Sequence, residues 1–167
     1  MGLILLRHTR PLRSDGICYG STDLPPGPDL PGEARRLAVQ LPPAERIVTS
    51  PLCRCRLLAE ALATALGLAL SVDNRLRELD FGRWEGQRWD RVPRDELDLW
   101  ASDLIGARPH GGETVAEMAA RVGEALDAVG QGVLLITHMG PIRAALARGG
   151  QTGAWEARVA FGAWVAV

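Results

Sequence analysis

Arginine and histidine side chains follow short apolar segments at three places in this sequence. The three combinations are residues 3–6 with Arg7 and His8, residues 47–49 with Arg54, and residues 133–137 with His138. An imidazole can act as a nucleophile or as a general acid or base near neutral pH, and a guanidinium group presents a planar fork of donors that matches phosphate oxygens. The pattern therefore indicates a site that binds an anion, such as a phosphoryl group, and acts on it.

The three apolar segments are typical of buried parallel strands, because each is a short apolar run that ends abruptly in polar residues. Ligands of an open α/β sheet bind beyond the carboxyl ends of its strands. We therefore expect Arg7, His8, Arg54 and His138 to meet in one crevice, although they are far apart in the sequence.

The rest of the chain predicts helices between these strands. Apolar residues recur at helical spacing over residues 31–41, 52–66, 114–129 and 139–147. Gly67 would end the second helix, and Glu113 or Thr114 would cap the third. Residues 84–106, with three tryptophans, predict an irregular or short-helix segment across one end of the sheet, and residues 158–167 predict a last strand. The prediction is an α/β fold with a mostly parallel central sheet and helices on both faces.

Composition restricts the functions that this chain can have. Its 167 residues suit a single domain spanning residues 1–167, and its formal charge of -1 lacks the long-range positive field of a nucleic-acid-binding protein. All 19 basic residues are arginine, which excludes a lysine Schiff base.

The apolar stretch of residues 2–6 is too short for a signal-peptide core, and no later stretch reaches the ~18 apolar residues of a membrane helix. We therefore expect a cytoplasmic protein without a membrane partner. Cys18, Cys53 and Cys55 are sparse and odd in number, which favours structural thiols over a disulfide framework.

Four motifs together resemble one family. LRHTRP, SPLCRCRLLAEAL, RELDFGRWEG and LLITHMGPIRA, in this order, are similar to the motifs of the histidine phosphatase superfamily, the phosphoglycerate mutase-like proteins. The resemblance implies that His8 takes the phosphoryl group on a ring nitrogen and that Arg7, Arg54 and His138 form the phosphate pocket. In this pocket His138 would also be catalytic, as a donor to the transferring oxygens. It implies that Glu78 protonates the leaving alcohol and then activates water, with no metal or other cofactor.

Alternatives to these roles stay open. Glu85 and Glu113 are other candidates for the acid, although both also suit support of a loop or helix cap. His8, His110 and His138 are a conceivable zinc site, which the neighbouring arginines disfavour because they would repel a dication.

Further residues resemble one branch of the superfamily. Thr9-Arg10-Pro11 and Cys18-Tyr19-Gly20 are similar to the alpha-ribazole phosphatases of cobalamin assembly, although the region after His138 is shorter than is usual there. Candidate substrate contacts are Arg10, Tyr19, Gly20, His110, Glu113 and Met139. Tyr19 either closes over the substrate or packs its loop, and Arg10 is the only nearby candidate to bind a carboxylate.

The resemblance favours a hydrolase of a small phosphorylated substrate. A broad-specificity phosphatase of the same family, a phosphoglycerate mutase and an inactive phosphate-ligand binding module are the alternatives. The sequence leaves monomer and homodimer open.

Overall fold

A five-stranded sheet forms the centre of the protein in its computed structural model, which describes residues 2–167. The strands are β1 (Ile4–Arg7), β2 (Arg46–Thr49), β3 (Ala69–Val72), β4 (Val133–Thr137) and β5 (Trp164–Ala166). Their order is β3-β2-β4-β1-β5, with β1 to β4 parallel and β5 antiparallel to β1. The mostly parallel sheet predicted from the sequence is confirmed.

Five α-helices connect and flank these strands. They are α1 (Leu30–Gln40), α2 (Cys53–Leu66), α3 (Arg94–Ser102), α4 (Val115–Val129) and α5 (Met139–Arg148). Gly67 ends α2 at φ 67°, a left-handed conformation that glycine adopts without strain. Thr114 caps α4 and exchanges hydrogen bonds with Glu117 in a capping box.

Alternate residues of the strands face two separate hydrophobic cores. Leu5, Val48 and Leu135 pack on one face of the sheet, against residues of α4 and α5. Their strand neighbours pack on the other face, against α1 and α2; these include Ile4, Leu6, Ile47 and Ile136. Helices therefore cover both faces, as the sequence predicts.

Two edge strands differ from the sequence prediction. β3 is absent from the prediction because Ala69, Ser71 and Val72 are exposed at the sheet edge and form no apolar run. β5 is shorter than the predicted segment of residues 158–167. A turn with Gly162 at φ 70° precedes it, so the strand begins only at Trp164.

The tryptophan-rich segment is built from short helices. It contains the 3-10 turns Gly82–Trp84 and Trp89–Arg91, followed by α3. Trp84 is fully buried against Cys18 and Val92. No helix within residues 2–167 is long and apolar enough to cross a membrane.

Candidate active site

A cavity of about 210 Å³ opens where β1 and β4 end. Arg7, His8, Glu78 and Arg143 are its charged or titratable side chains apart from a tyrosine. Most of the remaining wall is apolar, and five aromatic residues contribute to it: Tyr19, Phe81, Trp89, Trp100 and Trp155. The cavity therefore combines a small polar centre with walls suited to a flat ring.

His8 follows β1 and is 2% exposed. Its Nδ1 atom lies 2.7 Å from the carbonyl oxygen of Thr9, which can only accept a hydrogen bond. Nδ1 therefore carries the proton, and Nε2 keeps its lone pair.

Burial and positive charge keep the His8 ring neutral. Desolvation, reinforced by the nearby charges of Arg54 and Arg7, lowers the pKa of His8 to about 3. At neutral pH the ring is therefore an uncharged base, which is the form that can attack phosphorus.

Arg54 is the second residue of α2; it is completely buried and does not line the cavity itself. Its Nη1 and Nη2 atoms donate to the carbonyl oxygens of Thr22 and Gly20, at 2.8 and 2.7 Å. Its buried Nε atom has no hydrogen-bond partner among the described residues. A buried guanidinium group with an unpartnered donor is a candidate ligand for phosphate.

Arg7 ends β1 and is held on two sides. Its Nη1 atom donates to the carbonyl oxygen of Val159 at 2.7 Å, and its guanidinium carbon lies 3.9 Å from the centre of the Phe161 ring. The Nε atom is buried and, within residues 2–167, has no partner. Arg7 thus has the same unpartnered donor as Arg54, and it lines the cavity directly.

His138 does not line the cavity. It is fully buried, its ring centre is 5.1 Å from that of His8, and its Nε2 atom is 2.8 Å from the Ser50 hydroxyl. Burial and the charge of Arg54 lower the pKa of His138 well below its ordinary value. The structure therefore brings the two histidines together, with His138 neutral and away from the cavity surface.

Glu78 lies at the N-terminus of α5. The backbone N–H of Gly140 donates to both of its carboxylate oxygens, and the N–H of Leu79 donates to one at 2.9 Å. His138 precedes α5 without a side-chain cap, so the Glu78 carboxylate supplies an acceptor for this helix terminus. Glu78 lines the same cavity as His8.

Two predicted substrate contacts in the loop after β1 lie outside the cavity. Arg10 pairs with Asp15 at 2.7 Å, and 62% of its side chain is exposed. Gly20 donates its N–H to Glu85 and accepts from Arg54, so its polar groups are engaged within the protein. Tyr19 and Met139 do line the cavity.

His110 and Glu113 also lie outside the cavity. His110 is buried against Trp84, with ring centres 4.9 Å apart, and accepts the Gly112 N–H on Nδ1 at 3.1 Å. Glu113 forms a two-point ion pair with Arg121, at 2.6 and 2.8 Å. Neither side chain lines the cavity, and both are engaged in packing or pairing, so their contact with a substrate stays a prediction.

The competing carboxylate Glu85 supports a loop. It accepts the backbone N–H groups of Gly20, Ser21, Thr22 and Phe81 and the Thr22 hydroxyl. These hydrogen bonds lower its pKa against the opposing effect of burial. Glu85 does not line the cavity, so its geometry favours a structural role over proton transfer.

The N-terminus of α2 is partly occupied by an acidic side chain. The Cys53 N–H at the start of α2 donates to the Asp23 carboxylate at 2.7 Å, so this helix terminus does not offer all its amides to a ligand. Arg54, rather than the helix terminus, is the donor of α2 that remains for phosphate.

Arg143 and Trp155 are cavity residues that the sequence interpretation missed. The available signal was spacing: Arg143 lies four residues after Met139, on the same face of α5. Within the described chain, no group of three or more His, Cys, Asp or Glu side chains is arranged to hold a metal ion.

The family model of the histidine phosphatase superfamily (branch 1) matches residues 3–160. The chain belongs to this superfamily, as its four motifs predict. Among its relatives is a probable phosphoglycerate mutase, GpmB, of Erwinia tasmaniensis. That protein is 37% identical over 86 residues, which are 49% of this chain and 40% of the relative. The chain spans less than half the length of the curated relatives it matches.

Solved structures match the whole fold. A phosphoglycerate mutase from Thermus thermophilus superimposes with a TM-score of 0.80 at 32% identity, covering 100% of this chain and 92% of that one. A structure described as mycobacterial hydrolase 2 superimposes with a TM-score of 0.79 at 27% identity, covering 97% and 79%. The fold is therefore phosphoglycerate mutase-like, and its neighbours include proteins named as a mutase and as a hydrolase.

Proposed function

We propose that the protein is a phosphomonoester hydrolase that acts through a phosphohistidine formed on His8. The observation that carries this proposal is the state of the His8 ring. It is buried, neutral and bound through Nδ1 to the Thr9 carbonyl oxygen, which leaves the Nε2 lone pair for attack. A neutral, oriented imidazole near the guanidinium groups of Arg7 and Arg54 suits phosphoryl transfer better than it suits passive binding of an anion.

In the first step a bond forms between His8 Nε2 and phosphorus, and the ester P–O bond breaks. Arg7 and Arg54 stabilise the charge on the phosphoryl oxygens. The Glu78 carboxyl group gives its proton to the leaving oxygen, so the first product is a neutral alcohol.

In the second step a water oxygen attacks phosphorus and the N–P bond breaks. The Glu78 carboxylate takes the proton of that water, and inorganic phosphate leaves. His8 is again neutral and Glu78 is again protonated, so the cycle closes. Because the two arginines supply the positive charge, we propose that no metal or other cofactor is required.

Hydrolysis of p-nitrophenyl phosphate in the presence of EDTA tests this proposal. We expect steady release of p-nitrophenol and phosphate, together with an acid-labile, base-stable phosphate on the protein after rapid quenching. A protein that binds phosphate esters but releases no product would be a binding module instead.

The aromatic wall supports a finer proposal for the substrate. Tyr19, Trp89 and Trp100 line the cavity and offer stacking surfaces for a flat base, as in alpha-ribazole phosphate. We expect its kcat/KM to exceed that of 3-phosphoglycerate and of simple nucleotides by more than about tenfold. A smaller difference would contradict this substrate and leave a phosphatase of broader specificity.

Arg143 favours phosphoglycerate mutase as a second candidate function. It adds a cation to the cavity wall, which a sugar acid needs for its carboxylate. A mutase returns the phosphoryl group to the product, so it interconverts 2- and 3-phosphoglycerate without net release of phosphate. Measuring isomer conversion and phosphate release in one reaction separates the two activities.

A further inference from the structure

The guanidinium group of Arg143 has a contact pattern that the proposed phosphoryl transfer does not use. Its Nε atom donates to the carbonyl oxygen of Ala157 at 3.0 Å. Neither Nη atom forms a hydrogen bond or an ion pair with any other residue that the structure describes. The side chain is half-buried and lines the cavity. One edge of the fork is thus fixed, and the other donors remain for a ligand.

The position of Arg143 separates it from the proton donor. Arg143 lies three residues after Gly140, whose N–H binds Glu78 in the first turn of α5. A rise of 1.5 Å per residue places its backbone about 4.5 Å further along the helix. Met139 precedes Arg143 by about one turn on the same face, and both line the cavity. Arg143 therefore extends the wall on which the leaving group would rest.

Among the described residues, Arg143 has no acidic partner in the cavity. A phosphate group would be bound by Arg7 and Arg54, and Glu78 is the only carboxylate on the wall among the described residues. Arg143 lies close enough to Arg7 for its charge to contribute to lowering the pKa of that group. Around Arg143, the wall consists mainly of apolar and aromatic side chains, including Trp155.

We infer that Arg143 determines specificity by donating, through its Nη atoms, to an oxygen acceptor carried by the leaving group. The acceptor is a hydroxyl or a carboxylate on a flat ring that packs among the aromatic residues of the cavity. This inference rests on the proposed function, because it assigns the part of the substrate that lies beyond the phosphate. A substrate without this oxygen leaves the Nη atoms of the half-buried Arg143 side chain without an acceptor, so its kcat/KM is lower.

The test compares phenyl phosphate with ring-substituted carboxyphenyl and hydroxymethylphenyl phosphates on the wild type and on Arg143→Met. For each ester, kcat/KM of the variant is divided by that of the wild type, so that the intrinsic reactivity of the ester cancels. We expect Arg143→Met to lower kcat/KM for at least one ring-substituted ester by about tenfold more than it lowers kcat/KM for phenyl phosphate. A factor of this size is the effect of one charged hydrogen bond. A selective loss of kcat/KM with the carboxyphenyl phosphates identifies the acceptor as a carboxylate. A selective loss with the hydroxymethylphenyl phosphates identifies it as a hydroxyl.

Two further variants keep the result interpretable. Arg143→Gln retains a donor for the Ala157 carbonyl oxygen, so it covers the case in which the methionine variant does not fold. Arg148→Met, on the same helix, removes an exposed ion pair with Asp127 and should not change the ratios. A loss that is equal across all esters, in a folded Arg143 variant, overturns the inference.

A binding measurement separates this inference from the proposed function. Tryptophan fluorescence of the His8→Ala protein, with and without Arg143→Gln, reports the Kd of each ester without turnover. Absence of hydrolysis by the wild type contradicts the hydrolase, while a selective Kd increase of about tenfold still supports the role of Arg143. Equal Kd changes for all esters, or no binding of any of them, reject it.

Discussion

The backbone N–H of Gly140 donates to both carboxylate oxygens of Glu78, at 3.1 and 3.2 Å. A Cβ atom at residue 140 would lie 2.2 Å from Glu78 Oε1 and 2.8 Å from the sulfur of Met118. The absence of a side chain on Gly140 is therefore what lets the carboxylate reach the N-terminus of α5. The placement of the proposed acid depends on this close approach.

Gly140→Ala should displace the Glu78 carboxylate and keep the fold, because the clashing atoms are at the ends of flexible side chains and alanine favours a helix by about 1 kcal/mol. We expect kcat/KM for an alkyl phosphate to fall at least about tenfold more than that for p-nitrophenyl phosphate. Gly149→Ala, at the other end of α5, meets only ordinary contacts at 3.5 and 3.6 Å and is the matched control. Equal effects of Gly140→Ala on both substrates would contradict the placement of Glu78.

Glu78→Gln should slow alkyl phosphates by about 10²–10⁴-fold and p-nitrophenyl phosphate much less, because a phenolate leaves without needing a proton. The measurement is kcat/KM over a series of leaving groups of increasing basicity. Glu60→Gln, on the exposed side of α2, is the control. An equal decrease of kcat/KM for all leaving groups would indicate that another carboxylate is the acid.

His8→Ala should abolish turnover and the acid-labile phosphate label, since it removes the proposed nucleophile. Retention of more than about a thousandth of the activity, a loss of less than ~4 kcal/mol in transition-state stabilisation, is incompatible with covalent catalysis at His8. His110→Gln changes a histidine outside the cavity and should keep the label.

Arg121 should act as a positioning residue for Glu78. From α4 it donates to the carbonyl oxygens of Arg75, Arg77 and Glu78, at 2.6, 2.7 and 3.1 Å, and it pairs with Glu113. Arg121→Gln is expected to increase the dependence of kcat on leaving-group basicity, as Glu78→Gln does, but by a smaller factor. Arg148→Gln, which breaks an exposed pair between α4 and α5, should leave that dependence unchanged. If Arg121→Gln lowers only the thermal stability, its role is purely structural.

The stability of the protein should fall in acid partly because of His8. Its pKa is about 3 in the folded protein, against an ordinary value of 6.5, so the unfolded chain binds more protons between these pH values. The free energy of unfolding therefore falls as pH decreases through this window, by up to ~1.4 kcal/mol per pH unit from this group. His8→Gln removes this contribution, so urea unfolding from pH 6 to pH 4 should show a shallower decline than in the wild type. Parallel declines would place the pKa of folded His8 near its ordinary value.

The fold class could be predicted from the sequence, and so could the nearness of the residues that follow β1, β2 and β4. Of Arg7, His8, Arg54 and His138, only Arg7 and His8 line the cavity, and the phosphate-binding roles of Arg54 and His138 stay predictions. Strand β4 has the predicted bounds, Val133–Thr137, because its continuous apolar run is buried on both faces. The carboxyl ends of parallel strands necessarily meet at one edge of the sheet, so the side chains that follow β1, β2 and β4 were predictable as one cluster. The motifs likewise determined membership of the superfamily.

Which loop and helix residues line the cavity depends on the packing of the whole fold. Arg10 and Glu113 were reasonable contacts from their motifs, yet each is paired with a charge elsewhere, Asp15 and Arg121 respectively. Its spacing from Met139 places Arg143 on the same face of α5, but the packing of α5 in the fold decides that this face lines the cavity. The physical reason is that a strand end is fixed by backbone pairing alone, whereas the surroundings of a loop or helix side chain depend on the other elements that pack against it.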